Sequence, residues 1–281
     1  MVNQAGQLSE LRTLVFGDDG SPTADISWLF VNSHVWPGWR VEIVAVEWPD
    51  LGPPVPREEA VLHRWDPPHP RHVFSEAGFV EFEHLTAKTD PRLALLRDSD
   101  LLVIGPRGPG LLKTLHLGST ADWLLNNSQA PLLIARHGRP VRNVVLCTDG
   151  SKHADRVTNV VVSLPWIAQL HVTVLAVDDG RIDVARARET ATRLLEAAGA
   201  EVNVAVPLDE SETLLSRMKV SSPTTVIKRH LDEFEPDLVA FGTRGLSGLQ
   251  RLRVGSTASS IARTASCSVL VASAHDDEST S

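Results

Sequence analysis

FGTRGLSGLQRLRVGSTASSIA, residues 241–262, answers IGPRGPGLLKTLHLGSTADWLL, residues 104–125, at an offset of 137. Both stretches carry Gly-x2-Gly-x9-Gly-Ser-Thr, as Gly105, Gly108, Gly118, Ser119 and Thr120 in the first and Gly242, Gly245, Gly255, Ser256 and Thr257 in the second. With glycine at about 7% of residues, three glycines at these spacings arise by chance roughly 0.1 times in such a chain, before Ser-Thr is required. Two copies at matching places mean that one unit is written twice.

Working outward, LVFGDDGSPTAD at 14–25 matches VVLCTDGSKHAD at 144–155, and QAPLLIAR at 129–136 matches SCSVLVAS at 266–273. The repeat is about 135 residues long, an ordinary domain size. The join falls in RHGRPVR, residues 136–142, where Gly138 and Pro140 interrupt the apolar pattern, so the expected domains are 1–138 and 139–281. The tail from about residue 274, AHDDESTS, is acidic and too polar to pack, and disorder is expected there.

The second unit alternates cleanly. Asn143 to Thr148 reads as a strand, and Ser151 as the N-cap of a helix with Ala154, Val157, Val160, Val161 and Leu164 on one face. A strand from His171, a helix from Val184 closed by Gly199, a strand from Glu201, a helix stopped before Pro236 and a strand at Leu238 to Phe241 follow. After the glycine loop, Ala258, Ile261, Ala262 and Ala265 mark a last helix, and Ser268 to Ala272 a last strand. Such alternation predicts a doubly wound parallel sheet in each unit. The first unit departs from the plan at residues 48–72, where seven of the 18 prolines replace a long helix by an irregular insertion or a shortened helix.

Composition narrows the function. A net charge of −8 leaves no excess of Lys and Arg to release counterions from nucleic acid. The N-terminus lacks a basic region followed by an apolar stretch, and no run is long enough to cross a membrane, so a cytoplasmic protein is expected. Cys147 and Cys267 sit in or beside apolar runs and read as buried thiols. His63, His69 and His72 lack the spacing of a metal site, and six of the seven tryptophans fall in the first unit as packing or interface residues. Neither a P-loop nor a dinucleotide Gly-x-Gly-x-x-Gly following a strand is present.

The repeated glycine loop follows a buried strand whose end faces the crevice of such a sheet. Its glycines let backbone approach a ligand, and Gly118-Ser119 and Gly255-Ser256 open a helix whose free N–H groups favour a phosphate. The alternative is that these glycines merely turn the chain and the serines merely cap a helix. Asp19-Gly20-Ser21 and Asp149-Gly150-Ser151 end each first strand, over the same crevice if the first and fourth strands are neighbours. The loop at 242–248 keeps every N–H, whereas the first loop loses two at Pro106 and Pro109, so tighter binding is expected in the second unit. A third difference is that Gly17 is matched by Cys147.

On these motifs the chain resembles the ATP-binding branch of the universal stress protein family over nearly its whole length, least at residues 47–80. The resemblance implies Rossmann-like domains of strand order 3-2-1-4-5 and an ATP, with Mg²⁺, across the strand ends. It implies Asp19 and Asp149 at the adenine and ribose end, with Gly17 beside Asp19 and with Val46 and Val177 closing the second strand against the base. It places Gly105, Gly108, Gly242 and Gly245 under ribose and phosphates, and Ser119 and Ser256, flanked by Gly118, Thr120, Gly255 and Thr257, on the phosphates. Arg107, Gly110, Arg244 and Gly248 lie within the loops. It further implies that the units pair through 132–135 and 269–272, that two chains form a dimer, and that the protein is a stress-response nucleotide sensor with no catalytic residue. The alternatives are a slow nucleotide hydrolase or nucleotidyl-transfer enzyme, or a scaffold without nucleotide.

Overall fold

The computed structural model describes residues 11–46, 62–64, 77–87, 89–107, 117–176, 183–205, 222–244 and 254–273. The first unit holds strands β1 (Arg12–Asp18), β2 (Trp39–Val46), β3 (Leu62–Arg64), β4 (Glu81–Ala87), β5 (Leu101–Ile104) and β6 (Leu132–Ile134), with helices α1 (Pro22–Asn32), α2 (Pro91–Ala94) and α3 (Ser119–Asn127). The second holds β7 (Asn143–Thr148), β8 (His171–Ala176), β9 (Glu201–Ala205), β10 (Leu238–Gly242) and β11 (Ser268–Ala272), with α4 (Lys152–Val162), α5 (Val184–Ala197), α6 (Pro223–Phe234) and α7 (Ser256–Thr264).

These strands form one sheet in the order β3-β4-β2-β1-β5-β6-β11-β10-β7-β8-β9. Apart from β3 at the outer edge, each unit therefore has the order 3-2-1-4-5, with parallel pairing inside it. The fifth strands join the units antiparallel, Leu132, Leu133 and Ile134 opposite Val271, Leu270 and Val269. All six of these side chains are buried, which explains why two apolar edges close on each other. Because the join is antiparallel, the C-terminal strand ends of the two units open in opposite directions.

Strand alternation sends Leu14, Phe16, Val41, Ile43, Val144 and Leu146 to one face and Val15, Val44, Leu102, Val145 and Val239 to the other. The first face is covered by α1, α4 and α5, the second by α2, α3, α6 and α7, and both cores run across the boundary between units. Tryptophans belong mainly to the first core, where Trp36 stacks on Phe79 at 5.8 Å and meets Trp166 of the second unit edge-on at 6.1 Å. Trp123 instead lies on the second face, under the Arg92 guanidinium.

The proline-rich stretch is described only at β3, which lies antiparallel against β4 as an added edge strand. The single-turn α2 stands where the second unit has the twelve-residue α6. Asp90, which caps α2, is held below the usual carboxylate range by its hydrogen bonds with Arg92, against the opposing effect of burial. The tail from residue 274 lies outside the described residues, as do His69 and His72. No described helix is long and apolar enough to cross a membrane.

Candidate functional site

Each first strand ends in the same turn. Asp19 Oδ1 accepts the Ser21 N–H at 3.0 Å, and Asp149 Oδ1 accepts that of Ser151 at 3.1 Å. Gly20 and Gly150 have φ of 72° and 68°, a region that L side chains rarely adopt, so the second residue of Asp-Gly-Ser is fixed by the backbone. The serine then serves two masters. Ser21 Oγ accepts the Ala24 N–H as the N-cap of α1 and lies 3.5 Å from the Arg107 carbonyl, while Ser151 Oγ caps α4 and donates to the Arg244 carbonyl at 3.3 Å. Thr23 Oγ1 also donates to Arg107 O in the first unit. These bonds fasten the Asp-Gly-Ser turn to the start of the glycine loop, which is possible because β1 lies beside β5 and β7 beside β10. Reading Ser151 as a helix cap alone missed this link, since Arg244 is 93 residues away.

The loop glycines have a reason that sequence reasoning did not supply. A Cβ on Gly242 would lie 2.6 Å from the carbonyl carbon of His153 and 2.8 Å from Ala154 N, and one on Gly105 would lie 3.2 Å from Thr23 C and O. Both glycines let the first turn of α1 or α4 seat on the end of the fourth strand. Gly17 has a packing reason as well, because Leu95 and Ile104 occupy the space its side chain would take at 3.0–3.1 Å. Its counterpart Cys147 is buried, and burial, reinforced by Cys267 and Asp149, raises its thiol to about 12. That thiol is an inert packing group at neutral pH.

Pro106 requires a correction. Thr243, its counterpart, donates its N–H to the Ala272 carbonyl at 2.9 Å, so this N–H belongs to the sheet and is not held out for a phosphate. In the first unit the matching carbonyl, Ala135 O, lies 3.1 Å from Ser27 Oγ, whose single hydrogen is shared between it and Thr23 O at 2.8 Å and so replaces in part the donor that proline lacks. The two loops otherwise close alike, with Gly118 N–H on Pro106 O and Gly255 N–H on Thr243 O, both at 2.7 Å.

Among the seven described α-helices, α1, α2, α4, α5 and α6 begin with a side chain, that of Ser21, Asp90, Ser151, Asp183 or Ser222, that accepts a first-turn N–H. Helices α3 and α7 do not. Their N-caps are Gly118 and Gly255, with no side-chain cap, and Ser119 and Ser256 stand exposed at the first helical position. Thr120 and Thr257 follow half-buried, and the Thr257 hydroxyl receives that of Thr224 from α6 at 3.1 Å. The two helix starts that sequence singles out for phosphate are therefore, among the described α-helices, the two without a side-chain cap.

Asp19 is exposed and Asp149 half-buried. Asp155, in the first turn of α4, is pushed above its ordinary value by burial and then by the charge of Asp149, so negative charge is already concentrated at this end of the second crevice. Arg107 is exposed and Arg244 half-buried at the last described position of each loop. Val46 ends β2 opposite Ala87. Gly108, Gly110, Val177, Gly245 and Gly248 lie outside the described residues. Among the described residues, no three His, Cys, Asp or Glu side chains gather as a metal site.

The universal stress protein family profile matches this chain twice, over residues 34–136 and 140–273. The chain belongs to the universal stress protein family. A putative universal stress protein of Staphylococcus aureus (strain USA300) is 30% identical over 141 residues, which cover 46% of this chain and 82% of that protein. The crystal structure of a universal stress protein from Archaeoglobus fulgidus superposes with a TM-score of 0.58 at 19% identity, covering 95% of this chain and 98% of that one. A putative universal stress protein from Pseudomonas aeruginosa gives 0.52 at 15% identity, with 94% and 93% covered. Both structures match along nearly their full tandem length, so the likeness extends to the arrangement of two units in one chain.

Proposed function

We propose that each unit binds an adenine nucleotide, ATP with its Mg²⁺, across the ends of its first and fourth strands, and that the chain is a nucleotide-responsive regulator. The observation that carries this reading is the pair of helix starts at Gly118-Ser119 and Gly255-Ser256, left without side-chain caps while the other five described α-helices are capped. An uncapped helix start offers several N–H donors and the positive end of the helix dipole, which suits a phosphate. Membership of the family and the repetition of the arrangement in both units support the same reading.

In this reading the phosphates lie on the starts of α3 and α7, and the adenosine end lies towards Asp19 and Asp149. Gly105 and Gly242 shape the crevice by seating the helix beside it, and Arg107 and Arg244 stand at its rim. The Mg²⁺ accompanies the phosphates, and no side chain is assigned to it. The acid in the first turn of α3, Asp122, is paired with Arg263 of α7 at 2.7 Å, which favours binding over turnover. Pairing of two chains into a dimer belongs to the same proposal and needs a surface other than β6 and β11, whose edges are already joined to each other.

Thermal unfolding with and without millimolar nucleotide tests the reading. A ligand at 100 times its dissociation constant stabilises the native state by about 2.7 kcal/mol, enough for a clear rise in Tm. ATP should give that rise and a non-nucleotide polyanion should not. An unchanged Tm with ATP, ADP and AMP alike contradicts it.

A further inference from the structure

His34 lies just past the end of α1, on the side of the sheet where the two units meet, and only 6% of it is exposed. Its ring is held from both units. Nδ1 is 2.8 Å from the Phe30 carbonyl, and Nε2 receives the N–H of Val141, in the connector leading to β7, at 3.0 Å. The ring also packs on Trp166 of the second unit at 4.2 Å between centroids. The partners fix the tautomer, because a carbonyl can only accept and an amide N–H can only donate. Nδ1 therefore carries the hydrogen and Nε2 a lone pair.

We propose that His34 is an acid-sensitive lock between the two units, and that a proton taken up on Nε2 breaks the tie to Val141 and loosens this side of their junction. A protonated Nε2 turns from acceptor to donor and faces another donor, leaving two N–H groups buried against each other. The Phe30 carbonyl at Nδ1 compensates the charge in part, and burial outweighs it. The titratable and charged groups that bear on the ring from the connector are His137 and Arg142, and both oppose a second positive charge. His137 is itself engaged through Nε2 with the Asp237 carbonyl at 2.8 Å, and its buried Nδ1 has no hydrogen-bond partner among the described residues. The nearby carboxylate, Asp237, is committed to Arg139 and to the N–H groups of Arg142 and Asn143. From α1, Ser33 Oγ lies 3.2 Å from Nδ1, and the remaining neighbours are the rings of Phe30, Trp36 and Trp166.

The direction of the effect follows from linkage. Burial, then the charges of His137 and Arg142, outweigh the Phe30 hydrogen bond and lower the His34 ring from 6.5 to about 4. The folded value lies below the unfolded one, so the stability His34 contributes is complete above about pH 6.5 and is lost as pH falls towards about 4. The full excursion corresponds to roughly 300-fold in the folding equilibrium.

The test compares the urea-unfolding equilibrium of the full chain with that of His34→Gln, whose amide oxygen can accept from Val141 but does not titrate, from about pH 7 to about pH 4. By about pH 4, where the folded ring is half charged, the wild-type constant should have fallen further than that of the variant by about 150-fold, while acid effects of the carboxylates cancel between the two. Equal pH slopes overturn the proposal. Should the variant not fold, nuclear magnetic resonance of the ¹⁵N-labelled wild-type chain decides instead. The proposal requires the His34 ring to stay neutral through pH 6.5 and the Val141 amide to lose its hydrogen-bonded shift as the ring charges. A ring that charges near pH 6.5 without disturbing Val141 overturns it.

Discussion

In the first unit Pro106 has no N–H to give the Ala135 carbonyl, and the Ser27 hydroxyl reaches that carbonyl instead; in the second, Thr243 donates its own N–H to Ala272, and Val157 stands at the position of Ser27. The two copies thus differ by a pair of exchanges that leave one sheet carbonyl satisfied in each. They differ in the same way at the end of the first strand. Gly17 makes room for Leu95 and Ile104, whereas Cys147 fills its own space. What the comparison teaches is that much of the divergence between the units has been absorbed in their packing, while both helix starts keep a glycine N-cap without a side-chain cap and differ in the Asp122 that only α3 carries in its first turn. The expectation that the second site is the tighter one loses the part that rested on Pro106. It now rests on Pro109 alone, which lies outside the described residues.

The largest difference between the units should appear at the seat of the helix on the fourth strand. A Cβ on Gly242 meets backbone atoms at 2.6 and 2.8 Å, which forces α4 to move, whereas one on Gly105 meets Thr23 at 3.2 Å, which a small adjustment relieves. Gly242→Ala should destabilise by about 3 kcal/mol and Gly105→Ala by about 1 kcal/mol in urea unfolding. Equal losses would mean that α1 and α4 are seated equally tightly.

A smaller effect sharpens the exchange at Pro106. Ser27→Val removes the hydroxyl shared by Ala135 O and Thr23 O and should cost about 1–2 kcal/mol, chiefly because Ala135 O is then a buried acceptor left unpaired. In the second unit, Thr243→Pro should be destabilising by itself, and adding Val157→Ser should recover part of the loss. Strict additivity of the two changes in unfolding free energy is the result that breaks the compensation.

These particulars also mark how far the sequence could be read. The alternation of strands and helices follows from local patterns and reappears in the sheet order, and the pairing of the fifth strands, which the family resemblance implies, reappears in the register. The role of Ser27 was not legible, because its partner carbonyl is 108 residues away and a serine at mid-helix has no local signature. The edge strand at 62–64 was hidden among prolines that argue against regular structure, and it exists only by pairing with β4. At the candidate site, the spacing located Gly105 and Gly242, but their steric reason lies in the helix packed beside them rather than in a ligand. The uncapped state of α3 and α7 is a contrast with the five other described α-helices and has no signature in either glycine loop alone.

The central claim is that a phosphate occupies the open helix start in each unit, and calorimetric titration of ATP into the full chain and two variants tests it most directly. Ser119→Glu and Ser256→Glu each place a carboxylate in the first turn, where it favours the helix by about 0.3–1 kcal/mol but repels a phosphate. Neither variant should melt earlier than the wild type without nucleotide. The wild-type chain should bind one ATP per unit, each single variant should lose one of those two sites, and the double variant should lose both. ATP binding by the double variant as by the wild type, or no binding by the wild type, would contradict the account.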